Sequence, residues 1–284
     1  MFPNGAFVAG LLFVLGLFSS CEETVKLDLK QTESRIVVEG LVTTDSTRHF
    51  VKLSRTLDFY SKETPPAVRN ARISVTDGTQ IWNYSERPER PGYYVSDEAF
   101  AGVVGKFYRV VIEVGDKRIE GGDELIRVTE IDSITYLLDE DRLDLPSSGF
   151  TEEERMRVFA LLFFTKEPQA TKDFYLFKQY RNSERVDDNG TTILVSDDEI
   201  LQENINAVQL LDFYAPGDTA LVEMYSISRA AFIYYNDLNT VLNNDGGLFG
   251  PIPADPRSNL SGGALGLFQV SDVRRAARIA PENP

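Results

Sequence analysis

Between residues 35 and 125, apolar side chains recur at every second position in short runs, and no stretch of helical period interrupts them. That pattern restricts the region to β structure. Residues 106–114 show it best, with Tyr108, Val110, Ile112 and Val114 on one face and Arg109 and Glu113 on the other. Similar runs fall at 35–42, 50–53, 71–76, 80–84 and 118–120. Asp77-Gly78 supplies a hairpin turn, and Gly115-Asp116 another. At least six short strands with frequent turn signals predict a sandwich of immunoglobulin or transthyretin type. Gly121-Gly122-Asp123 reads as a turn that closes it, which places a domain boundary near Val128.

Beyond that boundary the pattern is mixed. Residues 133–137 read as a strand and 139–154 as a polar loop. Residues 156–164 are apolar on both faces, which predicts a central, doubly buried strand with 174–180 as its neighbour. Residues 219–225 give another strand. The period then changes: Ala231, Tyr234, Tyr235, Leu238, Val241 and Leu242 share one helical stripe. Ser228 is positioned to cap that helix and Gly246 to stop it, so a helix is predicted near 228–243. A Gly/Pro-rich segment, Gly246 to Gly266, follows, and 267–270 read as the last strand. The expected fold is mainly β: an N-terminal immunoglobulin/transthyretin-like sandwich (21–127), then a β-rich α+β domain (128–284) with one substantial helix.

The N-terminus carries a different message. An apolar run from Ala6 to Phe18 passes through Ser19-Ser20 to Cys21, the one cysteine of the chain, and Glu22-Glu23 follow at once. No charged side chain precedes Cys21. This is the pattern of a lipoprotein signal, residues 1–20, cleaved so that Cys21 becomes the acylated first residue. The run is shorter than the roughly 20 apolar residues that span a bilayer. Several acyl chains on one cysteine hold a protein stably at a membrane. The expected contact with the membrane is therefore the lipid on Cys21. A net charge of −15 and a pI near 4.6 argue against nucleic acid as a partner, which requires a basic footprint.

Catalytic constellations are hard to assemble from this composition. His49 is the sole histidine, and its place beside Arg48 at a strand start predicts an exposed side chain. One His and one acylated Cys exclude a zinc site built on those residue types. Asp187, Asn189 and Gly190 imitate the middle of an EF-hand loop, but that register puts Arg185 at position one and Ser196 at position twelve, where a carboxylate is needed. No metal, no cofactor and no enzymatic activity are expected. For binding, Trp82, Tyr84, Tyr93, Tyr94, Tyr234 and Tyr235 offer amphipathic rings, with core packing the competing reading for each. Tyr93 and Tyr94 are adjacent in a strand, so one ring points inward and one outward. The Gly246–Gly266 segment is either a binding loop, using Phe249 and Asn259, or a plug over a sheet edge. The candidate ligand-binding residues are Phe249, Asn259, Trp82 and Tyr94.

Several stretches resemble a known family in their order and spacing. They are Cys21-Glu22-Glu23 with Leu27-Asp28-Leu29, Ile36-Val37-Val38-Glu39-Gly40, Val51-Lys52-Leu53-Ser54-Arg55-Thr56, Val103-Val104-Gly105-Lys106-Phe107-Tyr108 and Ile131-Asp132-Ser133-Ile134. Near the end, Gly247-Leu248-Phe249-Gly250-Pro251-Ile252-Pro253 leads to Asn259 and to Gly263-Ala264-Leu265-Gly266-Leu267-Phe268. This series is similar to the Bacteroidota lipoproteins grouped as domain-of-unknown-function family 4249. The resemblance implies an outer-membrane lipoprotein, often encoded beside a TonB-dependent receptor, with no established activity. It also implies that the acidic residues after Cys21 mark export to the cell surface. Two functions follow as expectations: a non-catalytic accessory to a TonB-dependent transporter in nutrient binding or uptake, or a structural or adhesive surface protein.

Overall fold

Alternating burial along each strand shows why the N-terminal region folds as it does. In β1 (Ile36–Thr43) the side chains of Ile36, Val38 and Val42 are buried while Glu39 is exposed. β2 (Phe50–Arg55), β3 (Arg72–Thr76), β4 (Ile81–Arg87), β5 (Arg90–Ser96), β6 (Phe107–Val114) and β7 (Lys117–Glu124) follow the same rule. The computed structural model describes residues 34–57, 61, 63–140, 151–155, 157–166, 172–186, 193–197, 204–243 and 254–282. All of them belong to one unit, Ser34–Pro284.

The first sheet has eight strands in the order β15-β1-β2-β5-β4-β3-β6-β7, where β15 is Leu265–Ser271. Without β15, its two halves are β1-β2-β5-β4 and β3-β6-β7. This is the A-B-E-D and C-F-G order of an immunoglobulin constant-type sandwich. The β3–β4 hairpin carries hydrogen bonds round the corner between the halves. Tyr108, fully buried at the start of β6, accepts a 2.9 Å hydrogen bond from the Val103 amide, the geometry of a tyrosine corner. Val38, Val51, Leu53, Val75, Tyr94, Val110, Ile112 and Phe268 fill the interior. The predicted sandwich is present, and β15 joins it from the far end of the chain.

That strand closes the sheet on itself. β15 pairs in parallel with β1, from Val37 opposite Leu265 to Thr43 opposite Ser271. Its other side faces β7, and side chains bridge the seam. Asn259 Nδ2 donates to the carbonyls of Gly122 (3.0 Å) and Phe268 (2.7 Å), while its Oδ1 accepts from the Phe268 amide (3.1 Å). Asp123 Oδ2 accepts from the Val270 amide at 3.1 Å. Gly121-Gly122-Asp123 is thus strand rather than turn, a correction to the sequence reading. The two glycines are there because neighbours sit against their Cα atoms: a Cβ on Gly121 would lie 2.6 Å from Leu260, and one on Gly122 would lie 2.5 Å from the Phe107 ring.

The rest of the unit is a second pair of sheets. β8 (Ile131–Glu140), β9 (Arg157–Lys166) and β13 (Asn204–Tyr214) form one, with β9 central and buried on both faces as expected. β8 runs on to Glu140, into the stretch predicted as a polar loop. β10 (Phe174–Arg181), β11 (Glu184–Arg185), β12 (Leu194–Asp197), β14 (Thr219–Ser226) and β16 (Val273–Ile279) form the other. β10 is therefore not a hydrogen-bonded neighbour of β9, contrary to expectation. It pairs with β14, β11 and β12, and meets β9 face to face, with the Phe163 and Phe177 rings 5.4 Å apart. Two equally apolar strands carry no local signal that separates pairing from stacking. The expected last strand is β15, but β16 follows it.

Between β15 and β16 sits Asp272, 2% exposed. Its carboxylate accepts from the Thr44 hydroxyl (2.7 Å), the Arg274 guanidinium (2.8 Å) and the Val128 amide (3.1 Å). Ser226 Oγ donates to the Ile126 carbonyl and accepts from the Asp272 amide. Residues on both sides of Val128 are thereby held at one polar joint. The helix α1 (Arg229–Leu242) has Ser228 as N-cap, accepting from the Ala231 amide at 3.2 Å, and Asn243 as C-cap. The predicted helix is present; Gly246 lies outside the described residues.

Candidate functional site

The outward face of β1, β2 and β15 is not left to solvent. Residues that point away from the sandwich core, Val37, Glu39 and Leu41 on β1, Phe50 on β2, and Leu267 and Gln269 on β15, form the floor of a cleft of about 570 Å³. That volume lies in the range of small-molecule pockets. One wall is α1, which contributes Tyr234, Tyr235, Leu238 and Leu242. A second wall comes from β10 and its neighbours, with Leu176, Lys178, Arg185 and Ile193.

The walls are fixed by specific bonds. Asn239 on α1 grips the backbone of Ile193 at both ends, its Nδ2 donating to the carbonyl (2.7 Å) and its Oδ1 accepting from the amide (2.9 Å). Beneath the helix, Phe174, Leu176, Tyr225, Ile227, Ala231 and Leu267 pack into a core of their own. On the outer side, Asp237 accepts from the Arg257 guanidinium at 2.7 Å through each oxygen and from the Arg257 amide at 3.0 Å. This ties the strap 254–264 to the helix.

Polar groups in the floor are turned on one another. The Tyr235 hydroxyl donates to Gln269 Oε1 at 2.5 Å, and Gln269 Nε2 donates to the buried Ser271 hydroxyl at 2.7 Å. Burial raises the Tyr235 phenol far above its usual range, and pushes Tyr234 up to about 12 with a further contribution from Glu39. Both tyrosines are neutral donors at any physiological pH. Glu39 at the mouth is paired with Lys52 at 2.8 Å. Lys178 lies 4.6 Å from the centroid of the Tyr225 ring. Next to it is a satisfied network: Glu223 accepts from Tyr225 (2.7 Å), Tyr180 (2.9 Å) and Arg275 (2.6 Å), and Arg275 also grips Asp45. Burial would raise the Glu223 carboxyl, but those three donors hold it below its ordinary value.

The residues singled out from sequence are dispersed. Trp82 lies half-buried on β4, its ring 4.0 Å from that of Phe100 and stacked on it. Tyr94 is 1% exposed; its hydroxyl donates to the Val68 carbonyl and accepts from the Ala71 amide, so it serves the core. Asn259 has its amide engaged across the β7–β15 seam. Phe249 lies outside the described residues, as do Asp187, Asn189, Gly190 and Cys21. The described part of the Gly246–Gly266 segment covers the sheet edge, the plug reading of the two that the sequence allowed.

Tyr93 does point outward where Tyr94 points in; it stacks on Phe50 at 5.2 Å with Arg90 3.8 Å above it, which extends an aromatic row from the cleft. Tyr234 and Tyr235 were named by their spacing and do line the cleft. The floor residues were missed, because nothing local in β1 or β15 announces that they pair.

His49 is a further correction. It is 3% exposed, with Nε2 2.8 Å from the Phe100 carbonyl and Nδ1 accepting from the Thr43 amide at 3.4 Å. Burial lowers its pKa, so the ring is neutral, and both nitrogens are engaged. The chain between β1 and β2 bridges to Phe100 and carries the imidazole inward with it. Among the described residues, no group of three or more His, Cys, Asp or Glu is placed to hold a metal ion, and no helix is long and apolar enough to cross a membrane.

No curated protein matches the chain. A family model described as Domain of unknown function (DUF4249) matches residues 22–277, most of its length, and the chain therefore belongs to that family.

Proposed function

We propose that this protein is a lipid-anchored, non-catalytic binding protein of the outer membrane, which captures a small ligand for a TonB-dependent transporter. The observation that carries the reading is the cleft between the first sheet and α1. It is concave, of small-molecule size, and lined by Phe50, Tyr234 and Tyr235 among aliphatic side chains. A structural or adhesive role calls for a stiff module without such a recess.

The anchor in this reading is Cys21, at the end of the apolar N-terminal run. The transporter enters through the resemblance described above. A non-catalytic role is supported by the state of the sole histidine, neutral and bonded at both nitrogens.

The test is affinity purification of the lipidated protein from outer membranes in mild detergent. Recovery of a TonB-dependent receptor in near-equal amount is the expected result. Repeated recovery of the protein alone, with nutrient uptake unchanged on deletion, would overturn the proposal.

A further inference from the structure

The cleft also carries information about what it takes. Its floor and helix wall present Leu41, Phe50, Leu238 and Leu267 to the interior, while the polar atoms of Gln269 and Tyr235 are satisfied by each other and by Ser271. A ligand that sends hydroxyls or amides to the floor would have to break those bonds and leave buried groups unpaired. An aliphatic chain would not. The charges around the cleft are committed as well. Glu39 at the floor's edge is held by Lys52, Lys178 lies over the Tyr225 ring, and Arg185 has a partner of its own. An ionic head group would leave water here and have to compete for a counter-charge already engaged.

One polar group is left over. The Tyr234 hydroxyl forms no hydrogen bond among the described residues, although its ring is held edge-on to that of Tyr235 at 5.4 Å. Burial and the Glu39 carboxylate push its pKa up to about 12, so it is present as a neutral donor. An apolar recess with one uncommitted phenol matches a ligand that brings one neutral acceptor.

We propose that the cleft binds an uncharged, single-chain aliphatic molecule with one carbonyl acceptor, its chain lying along the sheet floor beneath α1 and its carbonyl accepting from Tyr234. The inference rests on the ligand-capture reading above and names the class of ligand. Burial of the chain supplies the affinity, and the phenol selects the acceptor.

The test uses the chain from Cys21 onward, carrying Cys21→Ser so that no acyl group is attached. The neutral fluorescent probe phenylnaphthylamine, which brightens in apolar surroundings and has no carbonyl, is expected to bind one to one. Methyl octanoate should displace it, and octanoate and octylammonium should do so at least about tenfold more weakly. Tyr234→Phe should weaken methyl octanoate about fivefold and leave phenylnaphthylamine unchanged, the loss of one neutral hydrogen bond. Leu238→Trp, which fills the cleft from the half-buried helix face, should abolish binding of both while the far-ultraviolet dichroism and melting temperature stay those of the parent.

Displacement by octanoate or octylammonium as strong as that by the ester would overturn the assignment, as would an ester affinity indifferent to Tyr234→Phe. So would binding that survives Leu238→Trp, or no binding of any probe. The ligand-capture reading fails on a separate observation: mass spectrometry of protein purified from its own membranes that finds no small molecule released from it. A released molecule of another class, a charged or two-chain lipid included, would overturn the neutral single-chain ligand and leave capture standing.

Discussion

Asp123 shows how much a single side chain can do in this fold. Its carboxylate accepts from the Val270 amide across the β7–β15 seam at 3.1 Å and from the Glu124 amide at 3.0 Å. Burial pushes its pKa up to about 6, only partly offset by those donors. A carboxyl raised in the folded state binds protons that the unfolded chain, with an ordinary value near 4, has released. Its stabilisation is complete below about pH 4 and is lost as pH rises through 6. Asp123→Asn should therefore flatten the pH dependence of stability between 4 and 6, a difference of roughly 2–3 kcal/mol relative to the parent. Urea unfolding at several pH values measures it; parallel curves for parent and variant would refute the assignment.

At the scale of elements, the sequence was a good guide to what each segment is and a poor one to what it pairs with. Period-two alternation in 106–114 and the Ser228-capped stripe of α1 are local properties, so β6 and the helix could be read directly. The pairing of β1 with β15 joins residues from opposite ends of the chain, and no local pattern encodes it. Gly121 and Gly122 misled for a related reason: their small size serves close approach by Leu260 and Phe107, which sequence alone cannot separate from a turn. The site inherited the same limits. Tyr234 and Tyr235 were legible from helical spacing, whereas Leu41, Leu267 and Gln269 meet only once the strands have paired.

Gly266 is the position where that pairing is most exposed to test. Its φ is +96°, and a Cβ there would lie 2.0 Å from the Val38 carbonyl oxygen on β1. Gly266→Ala should cost at least about 2 kcal/mol through strain and clash together. Gly78, with φ of +86° and open space around it, should cost on the order of 1 kcal/mol as Gly78→Ala, from backbone strain alone. Melting temperatures of the two variants decide it, and equal shifts would contradict the tight β1–β15 approach.

Across the whole molecule, the described unit presents a cleft whose floor belongs to one sheet and whose walls belong to elements from the other half of the chain. In the proposed account an acylated Cys21 holds this unit at the membrane. Cys21→Ala should release the protein from the membrane fraction or leave the precursor uncleaved, as fractionation and the mass of the N-terminal peptide would report. Normal processing and retention would remove the anchor from the account. The most direct test of the central claim, that the cleft does the work, is nutrient uptake by a deletion strain supplied with either the parent gene or the cleft-filling Leu238→Trp. The account predicts that both proteins reach the membrane in equal amount and that only the parent restores uptake. Full restoration by Leu238→Trp would contradict it.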